Sequence, residues 1–520
     1  MEIFAFESIG FDGEMVRIEV DIRRGIPAVD IVGLAAASIR EARERIRAAI
    51  RNAGYVFPQD RVLINLSPAD LPKEGTLYDL PIATKILQAT GQIPDCGKNL
   101  FVGGELTLDG NVSPVRGIIP ALLRSLKDDI HFFIIPAGNA SEAACLKEGF
   151  TYPISHISQL PEALMSIRDG TPLPSAGKCE TFGDNLRLEQ SSKGNYARGL
   201  DFSDYFGNPG VIRAMMIAAA GGHNVLLFGP PGSGKTMAAQ RFASLLPDLG
   251  EKDALEVSAL WSLHGGSQAK RRARNRPPVR TPHHTASLEG IIGGGKSPRP
   301  GEISLAHKGV LFLDETPEFR KDVLQSLREP LETGSVTIAR AGRVLRYPAE
   351  FQLLMAANPC PCGNMGNPAK HCVCAPVEIQ RYWKKLGGPL LDRIDMRVPV
   401  HVSGSSSRVS FQKNDPDELS GIVAEAIERQ HHRFGKPDSR RNARLEPVEV
   451  LTYCSLEGSA EKLFHYKSEE LGLSVRACHS VLKIARTLAD IDKIDKISED
   501  IMAEAVGFRQ FGDGDSFWPY

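Results

Sequence analysis

Gly229-Pro230-Pro231-Gly232-Ser233-Gly234-Lys235-Thr236 fits the pattern G-x-x-x-x-G-K-[ST], whose chemistry is the cradling of phosphates. Its glycines let successive backbone N–H groups converge on anionic oxygens, and a helix opening at the end of the loop adds its dipole. Lys235 would reach the β- and γ-phosphates of ATP, and the Thr236 hydroxyl would sit on Mg²⁺. Further along, an apolar run, Gly309-Val310-Leu311-Phe312-Leu313, ends in two carboxylates, Asp314 and Glu315. Beside a phosphate loop, Asp314 would hold Mg²⁺ directly or through water, and Glu315 would orient and polarise the attacking water.

Two more patterns could do chemistry. Cys360-x-Cys362 and Cys372-x-Cys374 lie nine residues apart across a stretch with Gly363, Asn364, Gly366, Asn367 and Pro368. Four thiolates on two tight turns suit tetrahedral Zn²⁺ in a structural role, with His371 as a possible substitute ligand. A redox pair or four reduced thiols in a loop are the alternatives, since C-x-C is less diagnostic than C-x-x-C. Two basic stretches could meet nucleic acid. One is Lys270-Arg271-Arg272-Ala273-Arg274. The other is a hairpin over 336–346 turning at Ala341-Gly342, with Arg340 and Arg343 at its tip. Contacts from such residues to phosphates would be independent of sequence and sensitive to salt. A solvated basic face is the alternative. His283 and His284 could contact substrate or serve the local fold.

The elements that position these groups follow from the flanks. Val225-Leu226-Leu227-Phe228 reads as a short buried strand feeding the phosphate loop, and 237–246 as the helix after it. A third apolar run, 351–357, ends at Asn358. Ser474 is a candidate N-cap for a helix to about residue 489. Arg476 in its first turn opposes the helix dipole and so asks for an anionic partner, the γ-phosphate being one candidate and solvent the other. Arg393 lies between Asp392 and Asp395, with which it could also pair. Helices are further predicted over 417–434, 460–470 and 498–507.

The N-terminal third reads as a compact α+β domain. Residues 16–22 alternate as a half-buried strand, and Ser38-Ile39-Arg40-Glu41 has the form of a capping box that opens a helix. Ile39, Ala42, Ile46, Ala49, Ile50 and Ala53 share one face of that helix. Strands are predicted over 61–66, 101–108 and 132–135, and a helix over 79–89. Pro72-Lys73-Glu74-Gly75-Thr76, Asp79-Leu80-Pro81-Ile82-Ala83 and Gly104-Glu105-Leu106-Thr107-Leu108-Asp109-Gly110 resemble the Lon-protease-type catalytic fold. That resemblance implies a serine where this chain has Leu77, and a lysine where 117–121 has none. Without nucleophile and base there is no acyl transfer, so the domain is expected to bind or assemble.

Arg280-Thr281-Pro282-His283-His284-Thr285, Pro300-Gly301-Glu302-Ile303-Ser304-Leu305-Ala306-His307 and Asn358-Pro359-Cys360-Pro361-Cys362-Gly363 resemble the magnesium-chelatase-like AAA+ proteins of the YifB/ComM type. The resemblance covers nearly the whole chain. It implies a hexameric ATPase and, in the ComM type, a DNA helicase that drives branch migration during natural transformation. It also implies a sensor role for Asn358, a second sensor at Arg476, an arginine finger at Arg393 lent to the neighbouring subunit, and a pore location for both basic elements. Thr316 departs from the leucine usual in the family.

The expected organisation is α/β and multidomain. A Lon-like domain (1–168) is followed by a linker (169–196), an AAA+ core (197–401), a second linker (402–415), a helical lid (416–509) and a tail (510–520). With 520 residues, several cores are expected. A hydrophobic content of 42% with 24% charged residues is ordinary for a globular chain. The net charge of -1 confines nucleic-acid contacts to local patches. No apolar run reaches the ~18 residues of a membrane span, and a reducing cytoplasm is the expected compartment. The expected activity is ATP hydrolysis coupled to movement on single-stranded or branched DNA; protein remodelling and a chelatase-type motor are the alternatives.

Overall fold

The computed structural model describes residues 1–171, 200–205, 208–265, 275–295, 298–340, 343–367, 370–401, 415–435 and 440–511. Lys270, Arg271 and Arg272 lie outside these, as do the side chains of Arg340 and Arg343, most of both linkers and most of the tail. The chain divides into two units. The first comprises Met1–Tyr196, Ser258–Ala273 and Ala339–Arg346; the second comprises Ala197–Val257, Arg274–Ile338 and Tyr347–Tyr520.

The first unit is built on a mixed sheet of β1 (Glu2–Ile9), β2 (Asp12–Arg23), β3 (Ala28–Val32), β4 (Arg61–Ser67), β5 (Asn99–Val102), β6 (Phe132–Pro136) and β7 (Phe150–Ile154). Their order is β3-β4-β2-β1-β5-β6-β7. The alternation in β2 turns Val16 and Ile18 into the core. The stripe predicted for helix α1 (Ala37–Asn52) is buried at Ile39, Ala42, Ile46, Ala49 and Ile50. Ser38 does not cap that helix. Ala36 is the N-cap, with no side-chain bond, and the Ser38 hydroxyl instead accepts the Gly75 N–H at 3.3 Å.

The strand predicted over 101–108 is broken after Val102. A Cβ on Gly104 would lie 2.9 Å from Val112 and 3.1 Å from Leu80, so only glycine lets the chain bend here. The bend presents the Gly104 carbonyl to the Leu80 N–H in helix α2 (Asp79–Ala89) at 3.0 Å. Asp79, buried at the start of α2, is held by Arg45 of α1 at 2.9 and 3.0 Å. Burial nonetheless pushes its carboxyl up to about 6. Leu77 packs against the core of this unit. The fully buried ammonium of Lys73 donates to the carbonyls of Gly33, Leu66 and Pro68, which leaves it no free donor.

In the second unit, helix α3 (Pro209–Gly221) precedes β8 (Val225–Phe228) and α4 (Lys235–Arg241). The helix predicted over 237–246 thus begins earlier and tightens to a 3₁₀ turn at Phe242–Leu245. Then come β9 (Val279–Arg280), β10 (Val310–Leu313), helix α5 (Arg328–Thr333), a two-stranded sheet of β11 (Ser335–Arg340) and β12 (Arg343–Pro348) whose residues 339–346 count with the first unit, β13 (Gln352–Ala357) and β14 (Met396–Pro399). The parallel sheet has the order β9-β10-β13-β8-β14. Strands β8, β10 and β13 are buried at every residue, as parallel strands covered on both faces must be.

The C-terminal helices α6 (Pro416–Phe434), α7 (Gly458–Glu470), α8 (Val475–Ile491) and α9 (Glu499–Gly507) share a hydrophobic core with this sheet. Val225, Leu227, Phe312 and Leu354 belong to the same buried cluster as Val423, Ile484 and Met502. Sheet and lid are therefore one unit.

Candidate nucleotide-binding site

Register decides the site. Phe228 pairs with Ala357 and Leu313 with Met355, so Gly229, Asp314 and Asn358 leave the same edge of the sheet on three adjacent strands. Gly229 passes so close to β14 that a Cβ there would lie 2.0 Å from the Val400 carbonyl oxygen. Gly234, with φ of 91°, turns the loop into the N-terminus of α4. Between them Pro230, Pro231, Gly232 and Ser233 form the loop proper. The buried Ser233 hydroxyl has no hydrogen-bond partner among the described residues.

The charged groups converge. Lys235 Nζ donates to the carbonyls of Gly229 (2.7 Å) and Pro230 (3.0 Å) and to Asn358 Oδ1 (3.3 Å). Thr236 Oγ1 donates to Asp314 Oδ2 at 2.9 Å. Burial lowers the Lys235 ammonium to about 8, against the opposing pull of Asp314 and Glu315. An anion in the loop would restore the charge that burial disfavours. Glu315 stands at φ of 48°, a left-handed backbone that a non-glycine residue adopts at a cost of about 1–3 kcal/mol. It swings the acid out of the strand direction, and its side chain stays more than half exposed.

Thr316, where the family resemblance implied leucine, has a structural role. Its buried hydroxyl donates to the carbonyls of Leu313 (2.9 Å) or Ala356 (3.1 Å), between the ends of β10 and β13. The histidine pair is also placed. Arg280 is held by Glu302 at 2.6 Å, and after it the rings of His283 and His284 meet with centroids 4.1 Å apart and planes tilted by 33°. His284 Nδ1 lies 3.8 Å from Glu315 Oε2. Sequence reasoning left these histidines without an assignment because nothing in the run 280–285 reveals which acid it faces.

Arg393 and Arg476 are not at this edge. Arg393 precedes β14, and its carbonyl accepts from Asn224, the residue before β8. Strand β14 runs parallel to β8 in the register Val225↔Met396. Arg393 therefore sits at the opening end of the strands, roughly 10 Å of strand away from the phosphate loop. It meets neither Asp392 nor Asp395. Its guanidinium bonds Glu332, at the end of α5, and donates to the Pro389 carbonyl at 2.6 Å. Arg476 Nη1 donates to the same Glu332 oxygen at 2.7 Å. These bonds draw the Glu332 carboxyl below its ordinary range, Arg476 contributing most. Ser474 caps α8 as predicted, accepting the Ala477 N–H at 3.1 Å, and also bonds Asp392. Glu332 carries no motif and was missed.

The four cysteines converge as well. The sulfur atoms of Cys360, Cys362, Cys372 and Cys374 all lie within 4.8 Å of one another. Separations of 3.4–3.7 Å among the first three suit a tetrahedral thiolate set, whose sulfur–sulfur edges are about 3.8 Å at Zn–S bonds of ~2.3 Å. His371 is not in the cluster. The loop abuts the phosphate loop: a Cβ on Gly363 would lie 2.9 Å from Pro231.

Three family descriptions match: "Subunit ChlI of Mg-chelatase" over 18–139, "Magnesium chelatase, subunit ChlI" over 201–407, and "Magnesium chelatase, subunit ChlI C-terminal" over 414–509. The chain is 39% identical to the YifB protein of Salmonella typhimurium over 506 residues, covering 96% of this chain and 95% of that one. The chain belongs to the magnesium-chelatase family, in its YifB/ComM type. It is 38% identical over 512 residues to the competence protein ComM of Haemophilus influenzae, covering 98% of this chain and 97% of that one. The magnesium-chelatase 38 kDa subunit of Acidiphilium rubrum is 30% identical over 182 residues, 30% of this chain and 52% of that one. Membership of this family accords with an ATPase using ATP and Mg²⁺. Among the described residues no helix is long and apolar enough to cross a membrane.

Proposed function

We propose that this chain is the subunit of a ring-forming AAA+ ATPase, most simply a hexamer, that converts ATP hydrolysis into movement on DNA. The observation that carries the ATPase reading is the convergence of Lys235, Thr236, Asp314 and Asn358 at one sheet edge. Thr236 and Asp314 would hold Mg²⁺, Lys235 and the loop N–H groups would bind the phosphates, and Asn358 would sense the γ-phosphate. Glu315 would take the attacking water, its carboxylate accepting the hydrogen bond that aligns an oxygen lone pair with phosphorus.

Arg393 stands at the opening end of the strands and Arg476 meets it on Glu332, while the loop leaves their opposite end. On this reading both belong to a neighbour's site, where guanidinium groups stabilise charge developing on the transferred phosphoryl. In mixed assemblies, Arg393→Ala and Lys235→Ala subunits should partly restore each other's activity.

DNA is the proposed track, from the similarity to a competence protein over nearly the full length. Branch migration in recombination is the corresponding role, and the basic run at Lys270, Arg271 and Arg272 with the hairpin arginines Arg340 and Arg343 are the proposed contacts. The first unit, with Leu77 in place of a nucleophile, is proposed to act in assembly and not as a protease. The cysteine cluster is proposed to hold one structural Zn²⁺. The partial match to a magnesium-chelatase subunit favours a second reading, a chelatase-type motor. ATPase rates measured with single-stranded DNA, branched DNA and unfolded protein test the first. Stimulation by unfolded protein alone, or by none of the three, would remove DNA as the track.

A further inference from the structure

The pairing of Arg393 and Arg476 on one carboxylate carries a consequence for regulation, resting on the proposed role of these arginines. Each partner is poorly placed by itself. Glu332 sits in the last turn of α5, where the helix dipole disfavours an anion. Arg476 sits in the first turn of α8, where it disfavours a cation. The opposite charges offset one another: both guanidinium groups converge on Oε1 of Glu332.

The contact is accessible. The Glu332 side chain is 45% exposed and that of Arg476 is 41% exposed, so an incoming anion can reach it. Arg393 is only 11% exposed, and its buried Nε has no partner among the described residues. Two guanidinium groups of five N–H donors each, gathered around a single oxygen, offer more donors than that oxygen can accept, and the buried Arg393 Nε is left unpartnered among the described residues. A phosphate, with more acceptor positions and more charge, would satisfy them better.

We propose that Glu332 is a placeholder for a nucleotide phosphate: it holds Arg393 and Arg476 together in the unassembled subunit and is displaced when they engage the ATP of a neighbour. The acid thereby sets a threshold for assembly. It keeps the arginine pair organised, which spares ordering cost on association, but an ion pair must be exchanged before the neighbour's phosphates are gripped. Because Glu332 and Arg393 flank the sheet while Arg476 belongs to the lid helix α8, displacement also releases a tether between lid and sheet. Assembly and lid position are then linked through one carboxylate.

The test uses Glu332→Gln, which keeps the shape and removes the charge, in a Glu315→Gln background that retains bound ATP. Self-association is followed by sedimentation against protein concentration, with and without ATP and Mg²⁺. The expected result is ATP-dependent assembly at about tenfold lower protein concentration than the Glu315→Gln parent, the size of one ion-pair exchange. Adding Arg393→Ala should abolish the gain. Glu332→Ala should behave like Glu332→Gln, and melting temperatures within a few degrees of the parent would show that both variants are folded. An unchanged or weakened ATP-dependent assembly in both Glu332 variants, with the parent assembling on ATP, would overturn the placeholder role and leave the ATPase reading standing. A parent that neither binds ATP nor assembles would overturn the ATPase reading and the placeholder with it.

Discussion

The Thr236 hydroxyl donates to Asp314 at 2.9 Å, joining the end of the phosphate loop to the end of β10 across the intervening strand β13. A hydroxyl and a carboxylate at this separation are the two protein groups that the Mg²⁺ of a nucleotide would draw apart and share. Thr236→Ala should leave the fold intact and raise the Mg²⁺ concentration needed for half-maximal hydrolysis by several-fold. Equal Mg²⁺ dependence in variant and parent would detach these residues from the metal.

Glu315 should separate binding from turnover. Glu315→Gln keeps the side chain's shape but loses the basic acceptor, so nucleotide affinity should stay within about threefold while kcat falls about 10²–10³-fold. Equilibrium binding and single-turnover hydrolysis read the two effects separately. Turnover near that of the parent would refute the assignment.

His284 is expected to act through Glu315. Its Nδ1 lies 3.8 Å from the carboxylate, and its ring rests at a tilt against His283. His284→Ala should lower kcat about tenfold with little change in nucleotide affinity, as expected for loss of a group that orients an acid. His284→Asn, which keeps a short polar side chain, should recover part of the loss. A fall in affinity equal to the fall in turnover would point to a role in binding.

Lys235 predicts a proton linkage. Burial holds it at about 8 in the ligand-free protein, well below the ordinary 10.5. The stability linked to this lowered value is complete above pH 10.5 and is lost as pH falls through about 8, so the charged lysine weakens the empty site at neutral pH. Bound phosphates reverse that. ATP binding at pH 8.5 should take up roughly three-quarters of a proton, seen by calorimetry in buffers of different ionisation enthalpy. Affinity should fall as pH rises past 8, and proton uptake near zero would exclude a lowered Lys235.

The cysteine cluster should matter to the nucleotide site as well as to its own loop. Cys360 follows Asn358 by two residues, and Gly363 rests on Pro231. The purified protein should contain close to one zinc per chain by elemental analysis. Its removal by a chelator, or Cys362→Ser, should lower the melting temperature and weaken ATP binding. Metal content clearly below one per chain in freshly purified protein would remove the site.

The groups that could do chemistry were legible in the chain itself because their patterns are local. The spacing of Gly229, Gly234, Lys235 and Thr236 is that of a phosphate loop, whose backbone and side-chain donors come from one run of consecutive residues. The runs ending at Asp314, Glu315 and Asn358 are continuously apolar, as strands buried on both faces must be. The cysteine pairs likewise carry their geometry in their spacing. Tertiary structure decided what depends on partners distant in sequence. The register of β8, β10 and β13 brings the acids and Asn358 to the loop, and the register of β14 carries Arg393 to the opposite end of the same strands. Glu332 was invisible because a lone acid at a helix end has no pattern; only the approach of two arginines, 61 and 144 residues away, gives it a role. Ser38 shows the same limit in reverse: its sequence suits a cap, and the Gly75 N–H claims its hydroxyl. Local spacing specifies which groups can react, and long-range packing specifies which of them meet.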